Sequence, residues 1–75
     1  MKKKKTVIKI LTELSGISDL NDTDELQNDL GFDSLLLVTL LIELEDVLQI
    51  TLDESDMDPS ELLTVSDVIA LAERY

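Results

Sequence analysis

The chain has no cysteine, no histidine and no tryptophan, and its 75 residues include one proline and two glycines. Without cysteine, neither a disulfide nor a thiolate metal site can hold the fold, which fits a cytoplasmic protein. Without histidine there is no imidazole to activate a hydroxyl, and no nucleophile–base pair or phosphate-cradling glycine loop can be assembled. Catalysis by this chain alone is therefore not expected. One phenylalanine and one tyrosine leave an aliphatic core. No apolar run approaches the roughly 20 residues of a membrane span. The basic start, residues 1–5, is followed by a stretch broken by Lys9 and Glu13, with no small-residue cleavage site; it reads as a solvated, frayed helix start rather than a leader.

What the chain does have is acid. Its net charge is −11, and five of its six bases (Lys2, Lys3, Lys4, Lys5 and Lys9) lie in the first nine positions. From residue 10 onward, 17 acidic groups face only Arg74, a formal charge of −16. Such a surface repels nucleic acid and anionic lipid and attracts basic docking patches on other proteins. The acidic runs at Asp19, Asn21, Asp22 and Asp24 and at Asp53, Glu54, Asp56 and Asp58 lack the glycine and terminal glutamate of a calcium loop, so no metal site is expected.

Apolar periodicity predicts helices and no strand. Val7, Ile10, Leu11 and Leu14 follow i, i+3, i+4, i+7 spacing, predicting a first helix from about Lys4 to Ser15 with Gly16 as its stop. Residues 17–32 form a long connection anchored by Leu20, Leu26 and Leu30, in which Thr23 could cap a brief turn. A second helix is expected from Ser34 to about Leu48 or Gln49, with Asp33 as N-cap. Leu37, Leu40, Leu41, Leu44 and Leu48 share its apolar face, flanked by Leu36 and Val47. Thr39, Glu43 and Asp46 mark its wet face, and Leu35 and Ile42 fall beside that wet face. Asp58-Pro59-Ser60-Glu61 reads as the start of a short third helix, and Thr64-Val65-Ser66-Asp67 as the start of the last. Val65, Val68, Ile69 and Ala72 supply the buried stripe of that helix.

The stretch Asp29-Leu30-Gly31-Phe32-Asp33-Ser34-Leu35 puts one serine hydroxyl at the mouth of the second helix. Capping alone explains many serines in such places. In this context, with a small acidic all-helical chain around it, the stretch resembles the modification site of acyl and peptidyl carrier proteins. The resemblance spans essentially the whole chain, as one stand-alone carrier domain over 1–75. It implies an antiparallel four-helix bundle with a long loop between helices one and two and a short third helix.

By the same resemblance Ser34 would carry 4′-phosphopantetheine, attached from coenzyme A by a phosphopantetheinyl transferase that reads Asp33 and Leu35. The arm's thiol would hold acyl, polyketide or aminoacyl intermediates as thioesters. The partners would then be that transferase, an acyl- or aminoacyl-loading enzyme, and downstream synthase or transferase enzymes, met by a monomeric carrier through its second helix. At the matching positions stand Leu35, Leu36, Thr39, Ile42, Glu45 and Asp46. Carriers of fatty-acid synthesis often place acids immediately after Asp-Ser-Leu and three positions later, where this chain has Leu36 and Thr39. That departure favours a specialised pathway.

Two questions stay open at this level. Leu35 and Ile42 fit either a docking spot or a core margin, and Leu44, Leu48, Leu62, Leu63 and Val68 fit either an acyl cleft or ordinary packing. The alternative function is an unmodified acidic adaptor that binds a partner through the second-helix surface.

Overall fold

The computed structural model describes residues 2–75; Met1, the first residue of the basic segment, lies outside them. Three α-helices, α1 (Lys2–Ser15), α2 (Ser34–Leu48) and α3 (Val65–Glu73), are joined by a long loop and by a link holding two single 3-10 turns. No strand forms among the described residues; the one extended pairing is an isolated antiparallel bridge between Glu25 and Thr64. The all-α expectation holds.

α1 packs against both α2 and α3. Its buried stripe is Val7, Ile10 and Leu11, with Leu14 half-buried beside it. The helix begins earlier than its apolar pattern suggests, at Lys2. Lys4, Lys5 and Lys9 are exposed to solvent as expected, but Lys3 and Lys4 also find partners. Lys3 Nζ donates to the Tyr75 backbone oxygen and Lys4 pairs with Asp22 at 3.6 Å. The Asp22 carboxylate partly offsets the unfavourable placement of cations at the positive end of a helix dipole. Gly16, at φ +76, ends the helix by donating to the Thr12 carbonyl at 2.8 Å.

The connection over 17–33 is ordered by its own acids. Asp24 Oδ2 accepts from the Asn21 N–H at 2.9 Å and closes the first turn, the role expected of Thr23. Asp29 Oδ2 accepts from the Glu25 N–H at 2.7 Å, and the N–H groups of Asp29 and Leu30 return to the Glu25 carbonyl. Leu26, Leu30 and Phe32 are thereby turned into the core, where all three are buried. Gly31 has φ +74, a conformation in which any Cβ is strained, and redirects the chain towards α2.

The link between α2 and α3 departs from expectation in one detail. The short third helix is a single 3-10 turn, Pro59–Glu61, preceded by another, Glu54–Asp56. Asp58 Oδ1 accepts from both the N–H and the hydroxyl of Ser60. Those two bonds, the hydroxyl's first, hold its carboxyl below the usual range. The turn ends there because Leu62 enters the core and the Leu63 carbonyl accepts from Leu26 N–H at 2.9 Å.

α3 opens on a full capping box. Thr64 Oγ1 accepts from Asp67 N–H, while Asp67 Oδ2 accepts from the N–H groups of Thr64 and Leu63, each at 3.0 Å. Aspartate at N3 thus does the work expected of glutamate. Val65, Val68, Ile69, Leu71 and Ala72 are all buried. Among the described residues the core contains no buried polar side chain, so its cohesion is aliphatic packing, at roughly 25 cal/mol per Å² of apolar surface removed from water.

Candidate functional site: the N-terminus of α2

Asp33 is the N-cap of α2, in extended conformation, with Oδ1 accepting from Leu36 N–H at 2.8 Å. Its carbonyl accepts from Leu37 N–H at 3.0 Å. Helix geometry leaves the N–H groups of Ser34 and Leu35 without intrahelical acceptors, and they point out along the axis towards solvent. Ser34 is exposed at the first helical position, and its hydroxyl has no hydrogen-bond partner among the described residues. Ser15 Oγ accepts from Ile17 N–H, Ser60 donates to Asp58, and Ser66 shares a hydrogen bond with Thr64. Ser18 and Ser55 are also exposed without a side-chain partner, but neither stands at the start of an α-helix.

The root of this serine is fixed from both sides. Phe32, two residues earlier, is buried and donates its N–H to the Leu26 carbonyl at 2.9 Å. Leu26 is in turn bonded to Leu63, and the Val65 and Ser66 N–H groups reach back to the Asp24 and Asp22 carbonyls. On the other side Leu37, Leu40, Leu41 and Leu44 seat α2 in the core. Ser34 is therefore an exposed hydroxyl on a rigid base, beside free backbone donors that favour a phosphate oxygen.

The α2 surface beyond Ser34 is apolar before it is acidic. Leu35 is 76% exposed and Ile42 55%, so neither is a core margin. Val38, at 40%, stands between them on the same face and was not among the expected contact residues. Its spacing, three after Leu35 and four before Ile42, was the available signal. The stripe runs about 10 Å along the helix at 1.5 Å per residue. No acid lies in the first turn of α2, and Asp46 is exposed at the far end.

The remaining expected contacts are spread unevenly. Leu36 turns inward and packs on the core. Thr39 is half-buried, its hydroxyl donating to the Leu35 carbonyl at 3.0 Å. Glu45 is part-buried, and its Oε2 accepts from Leu52 N–H at 2.9 Å, holding the link against α2. The four leucines and one valine considered for a cleft do not form one wall. Leu44, Leu62 and Val68 are closed into the core, while Leu63 is 63% exposed.

Residues 5–72 match the family described as "Phosphopantetheine attachment site". The chain belongs to that family. This carrier is 32% identical over 73 residues to the acyl carrier protein AsbD of Bacillus anthracis, covering 93% of this chain and 80% of the relative. An acyl carrier protein of Exiguobacterium sp. is 35% identical over 57 residues, 76% of this chain and 70% of the relative. A solved structure from Mycobacterium tuberculosis, provisionally assigned as an acyl carrier protein, superposes with a TM-score of 0.84 at 27% identity, covering 96% of both chains. The family is non-catalytic and carries 4′-phosphopantetheine covalently, and its members interact with transferase and synthase enzymes. No helix among the described residues is long and apolar enough to cross a membrane.

Proposed function

We propose that Ser34 is the attachment point of 4′-phosphopantetheine and that the chain, as one carrier domain, presents thioester-bound intermediates to successive enzymes. The observation that carries this reading is the unpartnered Ser34 hydroxyl at the first position of α2, beside two free backbone N–H groups. The bound arm supplies the thiol on which an intermediate is held. Ser34 Oγ would attack the pantetheine-side phosphorus of coenzyme A's pyrophosphate, whose P–O bond breaks to release 3′,5′-adenosine diphosphate. The hydroxyl proton passes to a base on the transferase, and the Ser34 and Leu35 N–H groups then receive a phosphate oxygen. Asp33 fixes the helix start, and with Leu35 it forms the face that a phosphopantetheinyl transferase reads.

Partner enzymes, the loading enzyme among them, meet the stripe of Leu35, Val38 and Ile42 and the exposed Asp46. Tethering raises the local concentration of the intermediate, while that surface selects who receives it. The apolar first turn, with Leu36 and Thr39 in place of acids, supports cargo from a specialised pathway (polyketide or aminoacyl) over housekeeping fatty-acid synthesis. A cytoplasmic setting, where such enzymes and coenzyme A meet, belongs to the same proposal.

The test is intact mass after incubation with coenzyme A, magnesium and a broad-specificity phosphopantetheinyl transferase. One arm-sized gain is expected in the parent and none in Ser34→Ala. No gain in folded parent protein, beside a control carrier that is modified, would reject the attachment reading and favour an unmodified adaptor.

A further inference from the structure

The link between α2 and α3 is fastened in an unusual way. Leu52 and Leu62 are buried at its two ends, but the turn Glu54–Asp56 between them buries nothing. Met57, just after the turn, is half-buried against the core, and the turn itself is held by the Asp56 carboxylate. Its Oδ1 pairs with Arg74 at 3.0 Å, and its Oδ2 accepts from the Tyr75 hydroxyl at 2.5 Å. The same hydroxyl accepts from Asp53 N–H at 2.9 Å, and the Asp56 side chain is 18% exposed. Tyr75 is itself held at its backbone oxygen by Lys3.

Beneath this clamp lies a depression of about 210 Å³ between the link and α3. Asp56 and Arg74 stand at its rim, and Leu62, Ala70 and Leu71 give it apolar wall. The link carries five acids over 53–61 (Asp53, Glu54, Asp56, Asp58 and Glu61), and Asp67 faces them across the depression. Arg74 is the only base after residue 9. Like charges push the link outward, and one arginine, one phenol and the half-buried Met57 hold it in.

We propose that residues 53–61 form a strap, hinged at Leu52 and Leu62 and latched by Arg74 and Tyr75 on Asp56, which opens over the α3 depression without unfolding the three-helix body. Unlatching uncovers the Leu62 and Leu71 surface while α1, α2 and the Ser34 root stay in place. Local openings of this kind arise where a segment has few buried apolar contacts and rests on a few polar ones.

Hydrogen exchange on the full chain, read amide by amide, tests this with Tyr75→Phe and Arg74→Gln. The informative amides are those of Asp56 and Met57, which donate to Asp53 and Glu54 carbonyls and so keep their partners in both variants. Loss of a latching bond should speed their exchange about tenfold, with the amides of Leu40, Leu41 and Leu44 unchanged. Unchanged exchange at Asp56 and Met57 in both variants would overturn the latch. Equal acceleration across α2 would overturn the independent strap, since the clamp would then be a staple of the whole fold.

Discussion

Replacing Asp67 with alanine removes the acceptor that closes the α3 capping box. Its Oδ2 serves two backbone donors, Thr64 N–H and Leu63 N–H, each at 3.0 Å. Hydrogen bonds to a charged group contribute about 1.5–3 kcal/mol each, with the upper part of that range requiring burial. Leu63 is exposed and its N–H regains water, whereas Thr64 is half-buried and its donor does so less completely. The combined loss comes to about 2 kcal/mol, near the top of what a lost cap costs. A domain of this length has roughly 4–11 kcal/mol of stability, so the variant folds but is visibly weakened. Tm should fall by on the order of 10 °C, at about 4–8 °C per kcal/mol for a domain of this size. Urea unfolding followed by far-UV circular dichroism gives the free energy directly, and Asp67→Asn, which keeps one acceptor oxygen without its charge, should lose about half as much. A loss below about 0.5 kcal/mol in Asp67→Ala, the range of an ordinary surface change, would refute the reasoning.

Gln49 is the one non-glycine residue at positive φ among those described, at φ 56 and ψ 49, where it ends α2 by donating to the Glu45 carbonyl. Gln49→Gly should raise stability by about 0.5–1 kcal/mol, because relief of the Cβ clash exceeds the added chain entropy, and the same urea titration reads it. Tyr75 should titrate above the ordinary 10.0 in the folded chain. The Asp53 N–H bond lowers its pKa, but the hydroxyl bond to Asp56, desolvation, and the charges of Asp56 and Asp53 outweigh it. The sign follows: this contribution to stability is whole below pH 10 and is lost as pH rises through the higher folded value. As the only tyrosine, beside no tryptophan, it can be followed by ultraviolet absorbance, and Asp56→Asn should move its midpoint down.

Local signals were read well from the residues alone, and distant ones were not. Asp33 and the 3.6-residue spacing of Leu37, Leu40, Leu41 and Leu44 placed α2 and its cap correctly, because both are satisfied within one or two turns. The exposure of Leu35 and Ile42 follows from the same wheel, and Val38 should have been read with them. The positive φ at Gln49 carried no glycine to announce it. The link between α2 and α3 was the least legible part. Its shape depends on Asp56 meeting Arg74 and Tyr75 from across the fold, and on Leu63 pairing with Leu26, contacts that no local pattern encodes.

The most direct measurement of the central claim is where the arm sits. After enzymatic modification and proteolysis, tandem mass spectrometry of the peptide bearing Asp33-Ser34-Leu35 should place the phosphopantetheine on Ser34 alone. Finding it on Ser18, Ser55 or any other hydroxyl, or finding Ser34→Ala still modified, would contradict the account.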